Sequence, residues 1–360
     1  MPEPRGDVQS RLQMHRDYWD RKDLAHPLVA FRITPDFFLS RNYHAAHHLL
    51  VPGKVILPEM LVVDDFLPDY ERMYQESEDI GQDAFFTAEP YISIPWMEAM
   101  LGCEVTAGDA SFISRHYLTS PDQLEKLELR ADNPWLEKYL EFAAKLVKFS
   151  EGRFPIGQPI LRGPVDVAGA LMGQAEMVMA MVDEPELMRK AFLKIGGFLR
   201  TVDTKMRELV PPFHGGEALG FYHVWTPGRC IWYQEDLATI ISPDMYDDFL
   251  REPERNICQG CQYTFIHLHP AAFFILDNLL ENDFLAAIQV NKDVGGPSVP
   301  EMLPKIRRIA ERKNFVFWGD LTLDDIKCLR ENLSARGLFF FTTADDLDHA
   351  KRLLDAVRAW

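Results

Sequence analysis

The sequence predicts an α/β fold of the (β/α)8, or TIM, barrel class, carrying a partly helical N-terminal extension. Two observations carry this. From about residue 150, short apolar runs alternate with turns and amphipathic helical stretches. The runs also lack polar alternation, as parallel strands covered on both faces do.

The runs in question are Phe154 to Leu161, Ala218 to Val224, Tyr263 to Leu268, Phe284 to Val290, Phe315 to Trp318 and Leu338 to Phe341. Leu28 to Ile33 and the stretch around Ala84 to Ile94 bring the candidate strands to eight, the number that closes a barrel. Helix starts punctuate them. Ser242-Pro243-Asp244 and Ser120-Pro121-Asp122 each offer a capping hydroxyl, a proline preset for the first turn and an acid at the positive helix end. Thr322 with Asp325 resembles a capping pattern, and Gly337 is expected to end the helix that follows. An open doubly wound sheet is the main rival, but no Gly-x-Gly-x-x-Gly turn follows an early strand. The expected division is an extension over 1–80 packing on a barrel over 81–360.

Composition narrows the function. A net charge of -17 opposes binding to nucleic acid or an anionic membrane. Hydrophobic residues at 47% with 12% aromatics supply a large core. The N-terminus is charged, without the apolar core of a signal peptide, and no apolar run reaches the roughly 18 residues of a membrane span. Five cysteines are few and odd in number, which fits a reducing cytoplasm better than a disulfide framework.

A barrel of this kind places its chemistry at the C-terminal strand ends. The residues closing each run are Arg162 and Asp166, then His223 and Trp225, then His267 and His269. Gln289, Asn291 and Asp293 follow, then Asp320, and finally Thr342 and Thr343. His267-Leu268-His269 is the sharpest feature, since alternation puts both imidazoles on one side, about 7 Å apart at Cα. That is half of a zinc site, which needs a third ligand and an open position. A metal-free polar role and plain packing remain open alternatives. Cys258 and Cys261 do not complete the site, because Cys261 enters the strand about 20 Å before His267. His44, His47 and His48 read as a solvated or lid segment, and the methionines from Met172 to Met181 as core.

At these residues the chain resembles the uroporphyrinogen decarboxylase superfamily, which includes corrinoid-dependent methyltransferases. ISIPWMEAMLGCEV is similar to the family's first strand and helix, PILRGPVDVAGALMG to its glycine-proline turn, and VDEPELMRKAF to the helix after it. QEDLATIISPDMYDDFLREP, TFIHLHP and FVFWGDLT follow in the family's order. The resemblance implies a TIM barrel, commonly a homodimer. It also shows departures. The arginine-rich N-terminal motif of true decarboxylases is missing after LVAFRI, leaving only Arg32 and Arg41 as anion contacts. The positions of the decarboxylase's aspartate, tyrosine, serine and late histidine fall near Ser93, Ala170, Asp236 and Thr342 or Thr343. Uroporphyrinogen decarboxylation is therefore not expected.

The methyltransferase branch uses a His-x-Cys strand end and a later cysteine to hold zinc; here those positions are His267, His269 and Thr343. The resemblance thus implies a methyltransferase moving a methyl group between a small methylated substrate and a corrinoid protein or corrinoid cofactor. Zinc would sit on His267 and His269, with Glu217 or Asp236 as third ligand, favouring a hard substrate oxygen over a thiol. Asp236, Asp293 and Asp320 are expected as acid/base or positioning groups. Arg162, Asp166, Tyr222, His223, Trp225, Gln289 and Thr343 are expected to contact substrate. A decarboxylase or lyase acting on another carboxylated compound, and a non-catalytic tetrapyrrole- or corrinoid-binding protein, are the alternatives.

Overall fold

The structure is a computed structural model that describes residues 8–34 and 39–360; the charged start over 1–7 lies outside the described residues. In chain order its strands are β1 Leu28–Ile33, β2 Val55–Ile56, β3 Glu104–Ala107, β4 Phe112–Arg115, β5 Glu217–Leu219 and β6 Val224–Thr226. They continue with β7 Cys230–Gln234, β8 Tyr263–Leu268, β9 Ala287–Asn291, β10 Asn314–Gly319 and β11 Leu338–Ala344. Six of them form one parallel sheet in the order β1-β11-β10-β9-β8-β7. Helices separate β8, β9, β10 and β11 in sequence, as crossover connections between parallel neighbours require.

The two edges of this sheet are joined by single backbone contacts rather than ladders. Ala84 N–H donates to Val29 C=O at 3.3 Å, and Gly157 N–H to Ala88 C=O at 2.8 Å. Arg162 pairs with Gln234 on β7, where Gly163 N–H donates to Gln234 C=O at 2.8 Å. The apolar segments around 84–88 and 155–162 thus run between β1 and β7.

Within the expected extension over 1–80, β1 hydrogen-bonds along its whole length to β11 near the other end of the chain. One expectation fails here: Ala218 to Val224 is not a strand of the main sheet. It is the tip of an antiparallel hairpin, β5 with β6, and the strand at that point of the fold is β7. The tip lies inside the curve of the sheet. Phe221 packs on Trp232, Trp318 and Phe341, Tyr222 on Phe265, and His223 on Phe86 and Phe341. A segment enclosed on every side is as apolar as a strand covered on both faces, so the pattern alone does not separate them.

The N-terminal helix Val8–Trp19 covers the end of the sheet where the strands begin. Trp19 stacks edge-on against Tyr263, the first residue of β8, and its Nε1–H donates to Trp225 C=O at 2.9 Å. Capping follows the sequence at Ser242, whose Oγ accepts from Met245 N–H, and at Thr322 with Asp325. Gly337 does not cap that helix, which ends at Asn332; it turns the chain into β11 with φ 65°. No single helix among the described residues is long and apolar enough to cross a membrane.

Candidate active site

Register builds the site. Gln234, His267 and Gln289 are level across β7, β8 and β9 near their C-terminal ends. The chain leaves β7 as Glu235-Asp236, which starts a short 3-10 turn and brings Asp236 over the end of β8. Asp236, His267 and His269 then offer ligand atoms all within 4.8 Å of one another. Asp236 Oδ1 is 3.4 Å from His267 Nε2 and 3.7 Å from His269 Nε2.

The hydrogen bonds behind these atoms decide their protonation. His269 Nδ1 lies 2.7 Å from Asp293 Oδ1, a carboxylate that only accepts, so Nδ1 carries the proton and Nε2 a lone pair. His267 Nδ1 meets Gln289 Oε1, also an acceptor, because Gln289 donates through Nε2 to Asn291 Oδ1 at 2.9 Å. Asp236 is held through Oδ2, which accepts from Gln234 Nε2 at 2.7 Å, while its buried Oδ1 has no hydrogen-bond partner. Three lone pairs therefore point at one place. Without a cation there they repel, and the titration of His269 reflects it. Burial works against its charged form, but Asp293 and Asp236 outweigh that and raise its pKa. More complete burial lowers that of His267. The donor set fits a metal ion, with both histidines backed by second hydrogen bonds.

Beside this cluster a cavity of about 280 Å³ is lined by Phe221, Trp318, Ile160, Ser93, Gln234 and Arg162, among others. Arg162 is anchored by Glu98 at 2.8 Å. Asp166, in the helix Pro164–Met172, accepts from Leu237 N–H at 2.7 Å. Burial and the nearby Asp236 push its carboxyl up to about 8.

The structure thus gathers His267, His269, Asp236, Asp293, Gln289 and Tyr222, with Arg162 and Asp166 alongside. Other expected residues lie elsewhere. Glu217 binds Arg207 and Cys230 N–H at the start of β7, roughly 13 Å along the strand from Gln234. His223 is buried between Thr87 N–H and Arg32, with its backbone at φ 57°. Trp225 packs on His15 and Arg16 under the N-terminal helix. Asp320 is exposed, meeting Lys292 only through its carbonyl. Thr343 pairs with Arg32 on β1, and β10 and β9 separate it from β8. Cys258 and Cys261 stay at the start of β8 with pKa values raised by burial, that of Cys261 to about 11. His44 pairs with Asp69 and His47 with Arg41 C=O, away from the cluster. Missed by the sequence reading were Gln234 and Glu98. The CIWYQ run before Gln234 is the signal that would have placed the first.

No protein-family model matches the chain, and no curated protein is similar to it in sequence. Among solved structures it is similar to a methyltransferase from Methanosarcina mazei. The TM-score is 0.63 at 16% identity, over 97% of each chain. The two share one fold. A B12-independent methionine synthase from Shewanella sp. W3-18-1 also matches, with a TM-score of 0.41 at 13% identity over 61% of this chain and 65% of that one. The first likeness makes this an α/β chain of barrel-like fold, as the apolar runs predict.

Proposed function

We propose that this chain is a zinc-dependent methyltransferase of the uroporphyrinogen decarboxylase superfamily, with a (β/α)8 barrel closed through the segments at 84–88 and 155–162. Its reaction would move a methyl group from a small methoxylated substrate to a corrinoid acceptor. The observation that carries this is the convergence of Asp236, His267 and His269 at the strand ends of a fold shared with a methyltransferase.

The contacts of 3.4 and 3.7 Å are near the roughly 3.3 Å between tetrahedral ligands about 2.05 Å from a zinc ion. A bound zinc would supply a Lewis acid that polarises a substrate oxygen. Asp236, His267 and His269 would hold it. Phe221 and Trp318 would pack a single ring in the cavity, with Arg162 placed for an anionic substituent. The C–O bond to the methyl group would break with its electron pair left on oxygen, and a corrinoid acceptor in its cob(I) state would supply the pair for the new bond to the methyl group. Asp166, whose carboxyl is pushed up by burial and by the nearby Asp236, would supply the proton that oxygen then takes.

A corrinoid protein would dock at the rim formed by the turns after β7, β8, β9 and β10, where Ile240, Phe274, Val294 and Leu323 are exposed. The test is to incubate zinc-loaded protein with cob(I)alamin and methoxylated aromatic acids, following methylcobalamin by its absorbance. Formation that depends on His267 and His269 supports the proposal; none with any substrate, metal loaded, contradicts it.

A further inference from the structure

We infer that Asp293 fixes the tautomers of both metal-binding histidines, His269 directly and His267 through Asn291 and Gln289, so that these three residues position the site rather than contact substrate. The inference rests on the metal-site reading above and concerns how this chain prepares that site.

Residues 289, 291 and 293 alternate along β9 and its extension, and so share one face. Their hydrogen bonds run in one direction. Asp293 accepts only: it takes a bond from His269, and the neighbouring Asn291 amide helps to lower its pKa. With its amide toward Asp293, Asn291 presents Oδ1, which accepts from Gln289 Nε2 at 2.9 Å. That turns Gln289 Oε1 toward His267 Nδ1, where Tyr222 Oη–H also donates to it at 2.7 Å. Reversing Gln289 would set its amide N–H groups against the Tyr222 hydroxyl hydrogen and the proton on His267 Nδ1, and would oppose two carbonyl oxygens at Asn291. The carboxylate at the end of the relay therefore holds every member in place.

The result is a deliberate inequality. His269 is backed by a charged acceptor and His267 by a neutral one, and a carboxylate behind an imidazole makes it the stronger donor. Tyr222, delivered by the hairpin tip from inside the sheet, clamps the neutral side. This explains why a tyrosine and a glutamine are buried beside His267 with their polar atoms turned to each other.

The test is a cobalt(II) titration of the full chain, read by visible ligand-field absorption and by the dissociation constant. Wild type is expected to bind one cobalt ion with a tetrahedral spectrum. Gln289→Leu should weaken binding about 10- to 100-fold while the metal-free protein stays folded at a lowered melting temperature. Gln289→Glu, which restores an acceptor and adds charge, should recover wild-type affinity or better with a shifted spectrum. Should Gln289→Leu fail to fold, Asn291→Ala removes only the clamp and should still cost about 10-fold. Wild-type affinity and spectrum in Gln289→Leu, or in Asn291→Ala, would overturn the relay and leave the metal site standing. Absence of cobalt binding by the wild type would overturn the metal site itself, and the relay with it.

Discussion

His267 Nε2 faces Asp236 Oδ1 across 3.4 Å, and each brings a lone pair to the contact. His269 Nε2 does the same from 3.7 Å. Such an arrangement favours a cation between them, and Asp293 and Asp236 raise the pKa of His269 against the opposing effect of its burial.

Metal and proton therefore compete for His269. Its pKa is raised above the ordinary imidazole value, so apparent metal affinity should climb with pH through and above that value, with a proton released on binding near neutrality. Calorimetry in buffers of different ionisation enthalpy measures the release. Binding independent of pH between 6 and 8 (about one unit either side of neutral) would contradict it.

Arg162 and Glu98 form a pair at 2.8 Å in which the glutamate side chain is 1% exposed and the arginine 37%. Arg162→Met leaves the glutamate buried without its partner. The expected loss is about 2 kcal/mol in urea unfolding, below the 3–5 kcal/mol of a fully buried pair because water already reaches the arginine. Arg162→Met together with Glu98→Gln should recover much of it.

Glu254 is enclosed beside Tyr246, and burial pushes its carboxyl up to about 8. A group whose folded pKa is raised stabilises fully below its unfolded pKa, near 4.5, and loses that contribution as pH climbs to the folded value. Unfolding free energy should thus fall by up to about 1.4 kcal/mol per pH unit across that window. Glu254→Gln should flatten the slope; equal slopes in both proteins would refute the assignment.

Gly157 lies where the chain passes under the hairpin, and a Cβ there would stand 2.5 Å from Ala218 C=O and Gly220 N. Both neighbours are backbone and cannot swing aside. Gly157→Ala should cost about 1–3 kcal/mol and also weaken metal binding, because the displaced tip carries Tyr222. Denaturant unfolding with a cobalt titration checks both.

How far the sequence foretold this depends on distance along the chain. Strands β8, β10 and β11 follow from continuous apolar runs, and the shared side of His267 and His269 from the two-residue repeat of a strand, both local features that the fold preserves. Of the two acids expected as third ligand, Asp236 is the one that lies near both histidines, because β7, not 218–224, ends beside β8. Glu217 was lost for the same reason. The hairpin reads as a strand because enclosure, not pairing, sets its apolar pattern. The pairing of Gln289 with His267 across two strands left no local trace, since register between distant segments is fixed by packing of the whole sheet.

The most direct measurement is the metal content and zinc dissociation constant of purified full-length protein beside His267→Ala, His269→Ala and Asp236→Ala. One zinc per chain is expected, lost or weakened by at least about 100-fold in each variant, beyond what outer-shell changes produce. A protein that takes up no divalent ion, or binds it equally well without these three side chains, would contradict the account.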